Sequence, residues 1–307
     1  MTPSKRPVAA GSSARIKERQ DEPQNLQRLL ACSYLYKRAQ WWRRVRALGT
    51  FALAAAAPVI ALLIPSTSDV LAAISAGWLV AGRTLLGSLE QRGTREAVAV
   101  QELFDTGLFH LPWNAALAGR PPAPEDVAAA ARHIKNDSPY RDWYSVDLGD
   151  TPWPGDVLLC QRQSTVWGRR DHRAYGTTIL IIGSAWLTAG LALALARDLT
   201  LASYLIKIFL PSAPAFLDTI ELARAHWQQA ASRRDAENRI HDLWTAHQKD
   251  PAAIPLSECR EIQDASFLLR RDSPRIPALF YKLRREVSAS STEAGTLELR
   301  RQSTSEP

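Results

Sequence analysis

The chain has 307 residues, 22% of them charged, with a formal net charge of +7. Its mean hydropathy of −0.19 resembles that of a soluble protein. Yet the apolar residues are gathered into two blocks, 47–89 and 177–223, with arginines at their flanks, which argues against a nucleic-acid groove as the use of the basic excess. Three distant cysteines, Cys32, Cys160 and Cys259, exclude a disulfide framework and fit a reducing compartment.

Residues 1–24 are rich in Ser, Pro, Lys and Arg and lack apolar periodicity, so they are predicted to be disordered. From Asn25 the spacing of Leu26, Leu29, Leu30, Ser33, Tyr34 and Lys37 predicts a juxtamembrane helix over 25–46 that runs into the first span. Trp41 and Trp42 stand where an interfacial aromatic belt would. The stretch 47–64 carries no charge over 18 residues, enough to cross a hydrocarbon core of about 30 Å. Its Pro58 is tolerated in a transmembrane helix. A short turn at 65–69 leads into a second span, 70–89, which contains Arg83 and closes the first hairpin.

The central segment, 90–176, opens with a helical stretch through Val98, Val100, Leu103 and Phe104. Pro121 and Pro124, followed by Glu125 and Asp126, signal another helix start. The residues from Asp156 onward predict a helix that carries into the third span, 177–196, again without charge. After Arg197 and Asp198 comes a fourth span, 199–217, holding Lys207, Pro211 and Pro214, and the second hairpin is set at 177–220. The C-terminal segment, 221–287, reads as a long charged helix over 221–248, a break at Pro251 and Pro255, and a helix over 258–271. A Ser/Thr/Glu tail, 288–307, is predicted to be disordered, and no strand is predicted. The fold class is therefore an all-α membrane protein, with four transmembrane helices in two hairpins and mainly helical cytoplasmic segments.

Basic residues set the orientation. Lys37, Arg38, Arg43, Arg44, Arg46, Arg92, Arg95, Arg169, Arg170, Arg173, Arg224, Arg233 and Arg234 lie outside the hairpin turns, which hold only Arg197. The positive-inside rule places both termini and the central loop in the cytoplasm of a multi-pass inner (plasma) membrane protein. Lys207 and Arg83 are the intramembrane charges. An ionisable group there faces a bundle interior, a polar seam or water, although Arg83 can also snorkel to the headgroups. GxSxG, HExxH, Walker A and GxGxxG motifs are absent, and the six histidines show no ligand spacing. The chain is not read as an enzyme, and no metal or cofactor is expected.

Several stretches together resemble one family. Gln101 to Asp105 leading to Leu111 to Asn114, then Tyr140 to Tyr144, then Leu159 to Arg162 with Trp167 and Tyr175, are similar to the SMODS-associating four-transmembrane effectors. Gln24 and Asn25, the helix up to Tyr36 and Ala39, Ile262 to Asp264, Arg270, and Ile276 to Lys282 extend the resemblance over about 24–286, with Ala278 and Leu279 departing from an expected aromatic. The resemblance implies a membrane effector of cyclic-oligonucleotide-based anti-phage signalling. Its implied partners are the lipid bilayer and a cyclic oligonucleotide made by a nucleotidyltransferase. The implied action is disruption of the inner membrane and death of the infected cell.

Such a messenger needs guanidinium groups for phosphates and aromatic faces for bases. Arg162, Arg169, Trp143, Tyr144, Trp167, Arg270 and Arg271 are the candidates. The competing reading is that the aromatics pack a small core and Arg169 anchors the chain at the membrane. Four spans are too few for a wide lumen, so a homo-oligomer is expected. Two further functions compete with the effector: a constitutive channel or small transporter, and a membrane anchor for a cytoplasmic partner.

Overall fold

The computed structural model of the chain describes residues 14–205, 209–250, 254–277, 279–280 and 283–284. Among these residues the regular structure is all helical, without strands. Order begins earlier than the sequence suggests. Helix α1 (Ala14–Arg19) buries Ile16, and the residue after it, Gln20, is only 1% exposed. Gln20 accepts from the backbone N–H of Tyr144 at 2.9 Å, and Lys17 donates to the Tyr144 carbonyl at 2.7 Å. The expectation of disorder through residue 24 is thus corrected from residue 14 onward. The stabilising partners lie more than a hundred residues away, beyond the reach of local periodicity.

Four long rods organise the molecule. Helix α2 (Pro23–Leu63) begins with proline at its first turn, where a missing N–H costs nothing. A 3-10 turn at Pro65–Thr67 reverses the chain into α3 (Ser68–Ala81), a π turn (Gly82–Leu86) and α4 (Gly87–Phe109). These three run on as one rod of 41 residues, Asp69–Phe109. Short helices α5 (Ala115–Ala118) and α6 (Pro124–Ala131) follow, the latter with Glu125 and Asp126 in its first turn. Helix α7 (Gly155–Ala196) is the third rod, and α8 (Leu201–Tyr204) leads to the fourth, α9 (Leu210–Lys249). Helix α10 (Leu256–Arg271) closes the described fold.

The rods Asp69–Phe109 and Gly155–Ala196 are long and apolar enough to cross a membrane, and only 11% and 6% of their most apolar windows is buried. That exposure is the reverse of a soluble core helix. At 1.5 Å per residue each rod is about 60 Å long, roughly twice a hydrocarbon core. Half of each rod therefore projects beyond the membrane as part of a polar bundle. The first predicted span lies on α2; the fourth falls on α8 and the start of α9, and its Lys207 lies outside the described residues.

Helix α2 packs on α4 and α6, α7 packs on α9, and α10 bridges α4, α7 and α9. The close approaches use glycine. A Cβ at Gly49 would sit 2.0 Å from the Trp78 ring, and one at Gly183 2.7 Å from Thr219 Cγ2. Outside the apolar halves, Phe104, Leu108 and Phe109 of α4, Leu158 and Leu159 of α7, and Ile240 and Trp244 of α9 form one core. Full burial of each such side chain contributes about 1.5–3 kcal/mol. A smaller core joins Ala31, Cys32 and Leu35 to Val100, Val127 and Ala131.

Candidate functional site

Helix α4 carries its polar site on the face that also packs the core. Val98, Gln101, Glu102, Asp105, Leu108 and Phe109 recur at helical spacing and all are buried. Glu102 and Asp105 are 1% and 0% exposed. Buried carboxylates demand partners, and α10 provides them. Arg260 donates to Glu102 Oε1 at 2.5 Å and to Asp264 Oδ1 at 2.7 Å, and also to the Pro112 carbonyl at 2.9 Å. Gln263 donates to Glu102 Oε2 at 2.8 Å and Asp105 Oδ2 at 3.1 Å. Arg270 pairs with Asp105, whose other oxygen accepts from the Tyr144 hydroxyl at 2.7 Å. Asn114 ties the loop after α4 to Asp264 at 3.0 Å.

Charge balance follows from these contacts. Burial pushes the Glu102 carboxyl up, with Gln263 and Arg260 holding it back. Burial opposes the Arg270 charge, but Asp105 and the neighbouring phenols outweigh it and keep the guanidinium above its ordinary value. The Tyr144 phenol is pushed well up by burial and by Asp105. The seam is a fixed joint between α10 and the rod that enters the membrane. It unites stretches that the family resemblance singled out separately, Gln101 to Asp105, Tyr140 to Tyr144, Ile262 to Asp264, and Arg270.

Two arginine-lined clefts open on the bundle, the first of them between the helices of this joint. The first, about 490 Å³, lies between α4, α5 and α10 and is lined by Arg95, Phe267, Arg271, Asp272 and the stretch Leu117–Gly119. Gly119 has φ +72°, a turn conformation natural to glycine. Arg271 rests 6.0 Å above the Phe267 ring and is held by Asp272 at 2.9 Å. The second cleft, about 460 Å³, shares none of these residues and lies between α7 and α9.

The candidates from sequence therefore do not converge on one spot. Tyr144 and Arg270 meet on Asp105, so the Tyr144 ring, 1% exposed, is core and offers no face for stacking. Trp143 packs half-buried against the larger core. Arg162 and Trp167 are half-buried along α7, and burial lowers the Arg162 pKa. Arg169 pairs with Glu237 at 2.6 Å and lines the second cleft, while Arg271 lines the first. Arg83 sits in the π turn and reaches Asp218 of α9 at 3.0 Å. Glu102, Asp105, Arg260 and Gln263 were missed as site residues, although an acidic pair on the face that carries Val98, Leu108 and Phe109 was the available signal.

A further buried pair lies where α7 meets α9. His172 and His226 approach Nδ1 to Nδ1 at 2.8 Å, so one ring donates and the other accepts. Burial, then Arg233, lowers His172 to about 2; burial, then Arg43 and Arg233, lowers His226 to about 3. Both are held neutral.

Comparison with known proteins agrees with this architecture. A probable CBASS effector molecule of Bacillus cereus (strain VD146) is 25% identical over 281 residues, covering 88% of this chain and 92% of that protein. No solved structure matches the chain. The sequence model of the SMODS-associating 4TM effector domain matches residues 14–299. The all-helical bundle, its apolar rods and this match describe a membrane effector of anti-phage signalling. The chain belongs to the SMODS-associating 4TM effector domain family.

Proposed function

We propose that this chain is a four-span inner-membrane effector that binds a cyclic oligonucleotide messenger and then permeabilises the membrane of a phage-infected cell. Both termini and the polar bundle face the cytoplasm, where a nucleotidyltransferase would release the messenger. Several copies of the chain assemble to make the lesion. The Bacillus cereus relative carries the name of an effector in the same kind of system.

The observation that carries the reading is the buried joint of Glu102 and Asp105 with Arg260, Gln263 and Arg270. It fastens α10 to a rod that continues without a loop through the π turn into the apolar half. A ligand in the cleft between Arg95 and Arg271 would touch both of the helices that the joint fastens, α4 and α10. Arg95 and Arg271 supply guanidinium donors for phosphate, and the Arg271 plane suits a base. An incoming phosphate competes with Asp272 for Arg271. Gating further requires that the messenger bind the open arrangement more tightly than the closed one.

The test is co-expression in bacteria with an enzyme that makes a cyclic di- or trinucleotide, followed by a potential-sensitive dye. Depolarisation only when both proteins are present supports the proposal. Depolarisation by the chain alone would make it a constitutive channel, and no depolarisation in either case would leave it an anchor.

A further inference from the structure

The second cleft is built unlike a packed helix interface. Helix α7 contributes Arg169, Arg173 and Thr177 at steps of four, which places them on one face. Helix α9 answers with Trp227, Ala230, Ala231, Arg234 and Asp235. The two alanines leave the floor open. A Cβ at Gly176 would lie 2.9 Å from Trp227 Nε1, so the indole lies against α7 only because glycine stands there. The ring nevertheless stays 37% exposed.

The charges are also unequal in their commitments. Arg169 is held by Glu237 at 2.6 Å. Among the described residues no carboxylate forms an ion pair with Arg173 or Arg234, and both are exposed. Two exposed guanidiniums beside an exposed indole leave the groove strongly basic.

Position decides what reaches it. Thr177 opens the uncharged run 177–196 of α7. The eight residues from Thr177 down to Arg169 span about 12 Å. The headgroup layer extends roughly 5–7 Å beyond the hydrocarbon core. The Thr177, Arg173 and Trp227 end therefore stands at headgroup depth, where an indole is favoured. Basic pockets between spans at this level suit anionic lipid headgroups.

We propose that this groove binds the phosphodiester headgroup of an anionic phospholipid. Arg173 takes the phosphate oxygens, Trp227 covers the glycerol region, and Arg234 and Asp235, further out along the groove, hold the hydroxyls at the distal end of the headgroup. The bound lipid braces α7 against α9 where the second pair of rods leaves the membrane. The assignment rests on the membrane reading and is independent of any messenger response.

The full chain, delipidated in a neutral detergent, is melted with phosphatidylglycerol, with phosphatidylcholine, or with a soluble cyclic dinucleotide. Phosphatidylglycerol should raise the midpoint by several degrees over phosphatidylcholine, and about 1 M salt should remove that increment. R173A/R234A should keep the phosphatidylcholine midpoint and lose more than half of the increment, while R173K/R234K retains most of it. The assignment fails if the two lipids melt alike, if the increment resists salt, or if the alanine variant keeps it. It also fails if the cyclic dinucleotide, rather than phosphatidylglycerol, gives the stabilisation that depends on Arg173 and Arg234.

Discussion

Arg83 on the π turn of one rod and Asp218 on α9 form an ion pair, Nη2 to Oδ1 at 3.0 Å, across the two halves of the molecule. The turn at Gly82–Leu86 is the one described place where the Asp69–Phe109 rod departs from regular α geometry. Such bulges recur at functional positions. Arg46 of α2 runs past the same turn, its Cγ 3.3 Å from where a Gly82 Cβ would stand, and pairs with Glu90 at 3.1 Å. The side chains of Arg83 and Asp218 are 66% and 49% exposed, so the pair faces outward from this single chain.

Arg83 lies near the cytoplasmic end of its span and can snorkel to the headgroups, where water reaches the pair, so the pair contributes little to stability, about 1 kcal/mol or less. D218N and R83Q should therefore melt like the parent protein. If the pair latches the halves together, both variants should leak dye from liposomes without messenger, and the swapped R83D/D218R protein should be tight again. Parental leakage in both single variants would remove the pair from gating.

The Glu102 and Asp105 joint behaves differently because it is buried. D105A strands Arg270 and the Tyr144 hydroxyl, whereas E102A takes the buried carboxylate from Arg260 and leaves it Asp264 and the Pro112 carbonyl. Breaking one partner of such a pair costs about 3–5 kcal/mol. Thermal denaturation in detergent should show both variants melting below the parent, with D105A the lower of the two. Parental midpoints would contradict the packing described for α4 and α10.

Acid should loosen the α7–α9 contact. His172 and His226 have folded values of about 2 and about 3, below their ordinary 6.5. The unfolded chain binds protons that the folded chain refuses, so this stability is complete above about pH 6.5 and declines as the pH falls toward 3, by up to about 1.4 kcal/mol per unit for each ring. The charges facing the pair are Arg43 from α2, Arg233 from α9, and Arg275, all cationic. Asp156, raised by burial to about 6, works in the opposite direction between its ordinary 3.8 and 6. Melting midpoints against pH should fall below 6.5 in the parent and flatten in H172Q/H226Q. An equal slope in both would place the acid sensitivity elsewhere.

Arg95 and Arg271 line an open cleft and hold little of the fold. R95A/R271A should change stability by about 0.5 kcal/mol or less at each site, while reducing messenger-dependent leakage at least tenfold. Retained leakage would move the messenger site away from this cleft.

Local pattern made much of the fold legible. Pro124 with Glu125 and Asp126 marked the start of α6, and the charge-free run 177–196 marked the apolar half of α7. The long charged helix predicted over 221–248 and the helix over 258–271 correspond to α9 and α10. What stayed hidden depends on distance. Arg260 meets Glu102 across 158 residues, and His172 meets His226 across 54. No periodicity links such positions; only packing the rods side by side does. Tyr144 shows the converse error: an aromatic beside Trp143 suggested a stacking face, yet its hydroxyl and backbone are spent on Asp105, Gln20 and Lys17.

The most direct test of the central claim is dye release from liposomes that contain the purified full chain, measured with and without added cyclic di- and trinucleotides. The account predicts tight vesicles that leak when one of these messengers is added. Leakage that ignores every messenger, or none with any of them, would contradict it.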